Sequence, residues 1–352
     1  MKIHTKNHVI KREGKPYVIA EIGSNAMRCL NIAKEMIRIA AQVCHVNAVK
    51  FQKRYNSAVY TKEMYNSPYN SIFGTTYGEH REHLEFSVDE YAELINCAKE
   101  NNVDFIVTIF DDISLEQMCG LDIDGYKISS GDITNTLLIE KVAKLGKPIF
   151  ISTGAATLEE VEKAIEIAKI NNDKVIILHC VSQYPTDYEN MNLNIIKDYL
   201  KRFPDHIIGY SSHDIGLIGA ISAYVLGANV IEKHFTLDNN LYGTDHKLSL
   251  NVQQMRELVQ ELKRVASMLG TSNKKLNEYE MPARIKLGKS IYTSREIKKG
   301  EKITLDNICI KSPGGFLPPY LLKTIIGQKV NSNIGEEKPL TELVLTESDN
   351  NL

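Results

Sequence analysis

The sequence predicts an α/β protein: a TIM (β/α)8 barrel followed by a small β-rich domain. Eight runs rich in Val, Ile and Phe, each followed by a helix-like run, lie between Tyr17 and about Gly270. Apolar strands separated by helices imply parallel pairing through βαβ crossovers. The alternating part has roughly 255 residues, the size of one such barrel. The pattern then stops, and the remaining residues read as short strands and turns punctuated by Gly and Pro.

The elements follow in order. YVIAE (17–21) precedes the helical pattern LNIAKEMIRIAAQV (30–43). NAVKFQ (47–52) is followed by a long polar insertion and then by VDEYAELINCAKE (88–100). DFIVTIF (104–110) precedes a short helix at 114–119, and GYKIS (125–129) precedes TLLIEKVAKLG (136–146). KPIFIST (147–153) precedes LEEVEKAIEIAKI (158–170), and KVIILHC (174–180) precedes LNIIKDYLKRF (193–203). HIIGYSS (206–212) precedes IGLIGAISAYVLG (215–227), and NVIEKHF (229–235) precedes VQQMRELVQELKRVASML (252–269). A doubly wound sheet is the competing architecture, but no G-x-G-x-x-G follows the first strand. LGKS (287–290) is not a P-loop, because Ala283 stands where the first glycine is required.

The barrel domain is placed at 1–270, a charged, unperiodic linker at 271–284, and the second domain at 285–352. In that last domain EIKKGEKITLDNI (296–308) is echoed by NIGEEKPLTEL (333–343). A domain this small has a marginal core of its own and is expected to dock elsewhere.

Hydrophobic residues make up 43% and charged residues 24% of the chain, enough for a sizeable core. With 42 Lys and Arg against 44 Asp and Glu, the net charge is −2. That balance argues against nucleic acid and a polybasic membrane anchor as partners. No apolar run reaches membrane-spanning length, and the polar N-terminus has no secretory apolar region, so the cytoplasm is the expected compartment. The six cysteines are scattered, without a Cys-x-x-Cys pair, and are expected to be reduced and mostly buried.

In a TIM barrel the site lies at the C-terminal ends of the strands. Those ends carry Glu21; Lys50 and Gln52; Thr108; Lys127 and Ser130; Ser152; His179, Ser182 and Tyr184; Ser211 and His213; and Glu232, Lys233 and His234. Lys50, Lys127, Thr108, Ser130, Ser152 and Ser211, with the turns at Gly131 and Gly154, make a cradle for phosphate and carboxylate. Lys127, with no evident carboxylate neighbour in the sequence, reads as an anion-binding cation rather than a buried structural lysine. His213 and His234, at the ends of neighbouring strands, can converge on one divalent cation and leave positions open for water and substrate. Each of the two has the alternative of an ordinary hydrogen-bonded core histidine. His179 reads equally as structural or as supporting the site, and His45, His80, His83 and His206 as surface or loop residues.

These residues occur in longer phrases: VIAEIGSN (18–25), VKFQKR (49–54), YKISSGD (126–132), ISTGAATLEE (151–160), LHCVSQYPT (178–186), GYSSHDIG (209–216), IEKHFTLD (231–238) and GTDHKLS (243–249). Together they resemble the sialic acid synthase family. KSIYTSREIKKGEKIT (289–304) and IKSPGGFLPP (310–319) resemble its C-terminal antifreeze-like SAF domain, a β-clip fold. TYGEHREHLEF (76–86) is similar to the sub-group containing the animal enzymes.

The resemblance implies condensation of phosphoenolpyruvate with an N-acylated sugar aldehyde, foremost N-acetylmannosamine, to give N-acetylneuraminate and phosphate. It implies Glu21, Lys50, Lys127 and His213 as catalytic residues. Lys50, Thr108, Lys127, Ser130, Ser152, Ser182 and Ser211 would hold phosphoenolpyruvate. Glu21, Gln52, Tyr184 and Asp245 would contact the sugar, and His213 and His234 would bind the metal. The metal is expected to be Mn2+, with Mg2+ or Co2+ as alternatives. A domain-swapped homodimer is implied, each tail covering the partner's site. Legionaminate or another nonulosonate synthase, a 3-deoxy-octulosonate-type synthase and a degenerate sugar-binding barrel are the competing readings.

Three departures stand out. Asn25-Ala26-Met27-Arg28 replaces the family's Asn-His-x-Gly, Ser182 stands where many relatives carry Asn, and Lys311-Ser312-Pro313-Gly314 lacks the arginine of Lys-Arg-Pro-Gly. They fall mainly on the sugar end.

Overall fold

The computed structural model describes residues 1–345. The described residues divide into two compact units, Met1–Gly270 and the residues from Thr271 onward. The first unit opens with an antiparallel hairpin, β1 (Lys2–His4) and β2 (Val9–Lys11). Then come β3 (Tyr17–Glu21) and β4 (Ala48–Lys53), followed by a hairpin in the insertion, β5 (Pro68–Ser71) and β6 (Gly74–Thr76). Next are β7 (Asp104–Ile109), β8 (Gly125–Ile128) and β9 (Ile149–Ser152). β10 (Val175–Cys180), β11 (Ile207–Ser212) and β12 (Val230–His234) follow. Outside the two hairpins, these strands pair in parallel and form a closed barrel, β12 lying against β3.

The helices begin where the sequence supplies caps. Val88–Glu100, Leu158–Asn171 and Val252–Leu269 start after Ser87, Thr157 and Asn251, whose side chains accept from backbone N–H groups of the first turn. Glu90, Glu160 and Gln254 reach back to the capping residue, completing a capping box. Their apolar faces pack on the outward side of the strands. Phe51 and Phe105 stack there with centroids 5.3 Å apart, and Tyr91 meets Phe105 edge to face.

A separate apolar cluster fills the barrel's lower interior: Tyr17, Ile19, Ile106, Phe150, Ile176, Leu178 and Ile207, capped by Ile3 and Ile10 of the hairpin. The sequence reading missed this hairpin. Each strand has three residues and one buried apolar side chain, too few for an alternating signal. The inside of the barrel is thus apolar at its N-terminal end, which leaves the opposite end for polar chemistry.

The insertion is more ordered than its polarity suggests. Besides β5 and β6 it holds short helices at Asn56–Val59 and Lys62–Tyr65, and Tyr77–His83, capped by Thr76 with Glu79. The stretch read as a linker also carries structure: a 3-10 turn at Glu278–Glu280 and a helix at Met281–Leu287. Asn277 caps the turn, and Pro282 supplies a helical φ at the helix start.

The second unit pairs β13 (Ser290–Thr293) with β14 (Ile308–Lys311) and is otherwise joined by single bridges. Ile291, Ile297, Ile303, Ile308, Leu317, Ile325, Val330, Ile334 and Leu340 form its core. The two echoing phrases meet there: Ile297 and Ile334 exchange N–H···O bonds of 2.8 Å. All six cysteines are free; Cys44, Cys97 and Cys180 are buried, but Cys29 and Cys119 are exposed, contrary to expectation. Among the described residues no helix is long and apolar enough to cross a membrane.

Candidate active site

Side chains alternate along a strand, so residues two apart share a face. Lys50 and Gln52 therefore face inward together, as do Glu232 and His234. A cavity of about 580 Å³ opens at the C-terminal ends of the strands. It brings together every residue expected in the site: Glu21, Lys50, Gln52, Thr108, Lys127, Ser130, Ser152, Ser182, Tyr184, Ser211, His213, His234 and Asp245.

At its depth two lysines are knitted to two carboxylates. Lys50 Nζ lies 2.6 Å from Glu21 Oε2 and donates to Thr108 Oγ1 at 2.9 Å. Lys127 Nζ donates to Glu232 Oε1 at 2.5 Å and to Ser211 Oγ at 3.2 Å. Glu232 Oε1 is also 3.7 Å from Lys50 Nζ. The expectation that Lys127 lacks a carboxylate neighbour is therefore wrong: β12, directly opposite β8 and four strands away either way round the barrel, delivers one across the interior. Burial pushes the Glu232 carboxyl up, but Lys127 and Lys50 outweigh it and hold it below the usual carboxylate range. Burial in turn depresses Lys127, opposed by Glu232. The carboxylate is the firmer side of the pair, because two cations and the Ser211 hydroxyl surround it.

The hydroxyls sit beside the lysines. Ser152 Oγ is buried and has no hydrogen-bond partner among the described residues, so it is free to meet a ligand. Ser130 Oγ accepts from Gly154 N at 3.0 Å. A Cβ at Gly154 would lie 2.4 Å from Ser182 Oγ and 2.8 Å from Ser130 Oγ, so glycine is what lets these groups crowd together.

The His213 and His234 rings lie 5.4 Å apart, centroid to centroid. His213 Nδ1 is 3.0 Å from the Val181 carbonyl. An N–H there donates to the carbonyl and leaves Nε2 with a lone pair. Burial, with His234 beside it, lowers His213 to about 3, which keeps the imidazole neutral, as a ligand must be. His234 Nδ1 is buried without a hydrogen-bond partner among the described residues, and Asp245 Oδ2 lies 3.8 Å away. Among the described residues no group of three His, Cys, Asp or Glu side chains forms a metal centre. Two imidazoles, one of them with an orphaned buried nitrogen, suit a cation whose other positions go to water and substrate.

Towards the rim, Glu21 Oε1 accepts from Gln52 Nε2 at 2.5 Å, and Gln52 Oε1 accepts from Arg54 Nη2 at 2.6 Å. Tyr184, 58% exposed, lies over His213 with centroids 4.0 Å apart. Asp245 Oδ2 accepts from Ser24 Oγ at 3.2 Å. The altered segment after Gly23 keeps a tight turn: Met27 and Arg28 have φ of 50° and 54°, left-handed values that favour glycine. Asn25 anchors it by donating to the Phe235 carbonyl and Ser249 Oγ.

Other histidines separate clearly. His179 is structural: Nε2 meets the Met191 carbonyl at 2.8 Å and the ring stacks on Tyr210. His206 is buried rather than on the surface, and His80 lines the cavity, whereas His45 and His83 are exposed. Sequence reasoning gave no role to Glu232, Arg54 or Arg81, which also line the cavity. For Glu232 a signal existed: it shares the inward face of β12 with His234.

Comparison with known proteins agrees with this geometry. The NeuB family model matches residues 36–274, and the SAF domain model residues 288–343. The human N-acetylneuraminate-9-phosphate synthase is 37% identical over 93% of this chain and 91% of its own. The N,N'-diacetyllegionaminic acid synthase of Legionella pneumophila is 32% identical over 90% of this chain and 91% of its own. The crystal structure of the sialic acid synthetase of Leptospira borgpetersenii, in complex with citrate, superimposes with a TM-score of 0.71 at 31% identity. It covers 80% of this chain and 95% of that one. A truncated 3-deoxy-D-arabino-heptulosonate 7-phosphate synthase from Thermotoga maritima, at 17% identity, shares the fold. With the family model spanning most of the barrel and relatives matched nearly end to end, the chain belongs to the NeuB family of sialic acid synthases and carries a SAF domain at its C-terminal end.

Proposed function

We propose that this protein condenses phosphoenolpyruvate with an open-chain N-acylated sugar aldehyde and water, giving a sialic acid and phosphate. N-acetylmannosamine is the favoured aldehyde and N-acetylneuraminate the product. The observation that carries this reading is the paired-lysine floor, with the unpartnered Ser152 hydroxyl, in the same cavity as the His213–His234 pair.

His213 and His234 would hold a divalent cation, Mn2+ by family resemblance with Mg2+ or Co2+ as alternatives, which when bound supplies Lewis-acid polarisation of the aldehyde oxygen. Lys50 and Lys127 face the trianionic phosphoenolpyruvate, and Thr108, Ser130, Ser152, Ser182 and Ser211 offer it hydroxyl donors. Glu232 bridges the two lysines and offsets part of their charge. Glu21, Gln52, Tyr184 and Asp245 meet the sugar. C3 of the enolpyruvate attacks the aldehyde carbon, the oxocarbenium at C2 takes up water, and the tetrahedral intermediate releases phosphate. Glu21, which lines the same cavity, would take the proton from that water.

The protein would act as a homodimer in the cytoplasm, each SAF domain serving the partner's barrel. Phosphate release from phosphoenolpyruvate with a panel of aldehydes tests the reaction. The panel comprises N-acetylmannosamine, its 6-phosphate, a diacetamido analogue and a simple aldopentose phosphate. Release with an N-acylated aldehyde is expected. Release only with the unacylated sugar phosphate would move the protein to another class of enolpyruvate condensation, and no release at all would leave a sugar-binding barrel.

A further inference from the structure

Two charged side chains on the outer face of the barrel mirror the histidine pair on its inner face. Along β12, Glu232 and His234 point into the cavity, so Lys233 between them points away from it. Ser211 and His213 line the cavity in the same way, and Asp214, next along the chain, does not. Ser212 is the register partner of Lys233. His213 follows one member of that rung and His234 follows the other.

Lys233 and Asp214 are tied to each other behind the histidines. Both side chains are completely buried. Lys233 Nζ donates to Asp214 Oδ1 at 3.1 Å and also to the Asp214 backbone carbonyl. The second bond fixes the backbone just beyond His213, while the lysine itself is the residue before His234. One ammonium thus spans the two chain segments that carry the imidazoles, whose centroids are 5.4 Å apart.

Stability alone does not account for this pair. Taking two charges out of water can cost more than their attraction returns, and apolar residues of similar volume serve packing at least as well. Here the carboxylate is not even fully satisfied: Asp214 Oδ2 has no hydrogen-bond partner among the described residues. The helix Ile218–Val225 packs so closely on that oxygen that a Cβ at Gly219 would lie 2.6 Å from it. A buried pair of this kind is suited to fixing register.

We propose that Lys233 and Asp214 are positioning residues, which hold the His213 and His234 backbones at the spacing that one divalent cation requires. The inference rests on the metal reading above and deepens it. Neither residue touches metal or substrate. What they set is the affinity for the cation, whereas Lys50 and Lys127 of the phosphoenolpyruvate floor stand on β4 and β8.

The test uses the full-length chain, stripped of metal by chelator and titrated calorimetrically with phosphoenolpyruvate and, separately, with Mn2+. Lys233→Met combined with Asp214→Asn removes both charges together at nearly constant volume. Mn2+ affinity should fall roughly 10- to 100-fold, as when a group that orients a metal ligand is lost. Phosphoenolpyruvate affinity and the melting temperature should stay near wild type, and the visible spectrum at saturating Co2+ should differ from wild type. Asp214→Asn alone keeps both acceptors for Lys233 and should recover most of the Mn2+ affinity. Gly219→Ala alters neither partner but crowds Asp214 Oδ2 and the tip of Met191 from the helix. It should weaken Mn2+ binding roughly threefold or more, and it carries the test where the double variant does not fold. Wild-type Mn2+ affinity in the folded double variant, or in Gly219→Ala where only that chain folds, overturns the inference. So does a parallel loss of Mn2+ affinity, phosphoenolpyruvate affinity and melting temperature, which marks an ordinary core pair. A His213→Ala, His234→Ala chain that binds Mn2+ as tightly as wild type overturns the metal reading itself, and this inference with it.

Discussion

At the scale of single residues, the pair Lys127–Glu232 has two duties that one substitution confounds. Replacing Lys127 with Met removes a cation from the phosphoenolpyruvate floor and leaves a buried carboxylate short of its 2.5 Å partner. The KM for phosphoenolpyruvate should rise roughly tenfold or more, and stability should fall by about 3 kcal/mol. Adding Glu232→Gln should recover most of the stability and none of the KM, measured by denaturant titration and steady-state kinetics. Recovery of both would make Lys127 structural. For the histidines, His213→Ala or His234→Ala should abolish turnover and lower the metal content after dialysis; activity surviving in the double variant under chelator would remove the metal role. The strand-end residues were legible because a barrel aims alternate side chains into one mouth. Lys127's counter-charge was not, because β8 and β12 are far apart in sequence and meet only across the closed interior.

Elements were legible in proportion to their length. Tyr17–Glu21 and Val252–Leu269 match the sequence reading residue for residue, whereas β1 and β2 were too short to show any period. Beside the packing of Ile3 and Ile10, a buried carboxylate gathers the turn of that hairpin. Asp104 accepts from Thr5 Oγ1 at 2.5 Å, Asn7 N at 3.1 Å, His8 Nδ1 at 3.0 Å and Tyr17 Oη at 2.8 Å. Burial pushes Asp104 up, but the hydrogen bonds from His8, Thr5 and Tyr17 outweigh it and the net direction is down. Its unfolded value is about 3.9. The stabilisation is therefore complete above about pH 4 and is lost as pH falls through the lower folded value. Asp104→Ala should cost about 3 kcal/mol at neutral pH, because it strands several buried donors. The gap from wild type should narrow in urea titrations below pH 4; a gap independent of pH would show that the charge is irrelevant. In the SAF domain, the echo between 296–308 and 333–343 carries backbone meaning: Gly300 and Glu337 occupy matching places and have φ of 83° and 56°. Glycine suits that conformation, and Glu337→Gly should stabilise the domain by about 0.5–1 kcal/mol in a melting experiment.

At the scale of the whole molecule, the two units have separate cores, and each buries its own isoleucines and leucines. The boundary near Gly270 was legible because the helical period of Val252–Leu269 ends there and a charged stretch follows. The quaternary arrangement was not, because no pattern within one chain says which copy its tail serves. The second unit leaves the large apolar side chains Leu305, Phe316, Tyr320 and Leu343 exposed. Enolpyruvate chemistry gains from a site closed to bulk water, and the family resemblance implies closure by the partner's tail. Deleting 285–352 should then leave a barrel that is folded by circular dichroism and nearly inactive. A full-length His213→Ala chain has a dead barrel and a good tail; the truncated chain has a good barrel and no tail. Mixed together they should regain activity well above the sum of the two alone, with sedimentation showing the mixed dimer. Tail closure within a single chain predicts no gain on mixing, since the intact barrel would still lack its own tail. A truncated barrel with full activity as a monomer would remove the lid altogether.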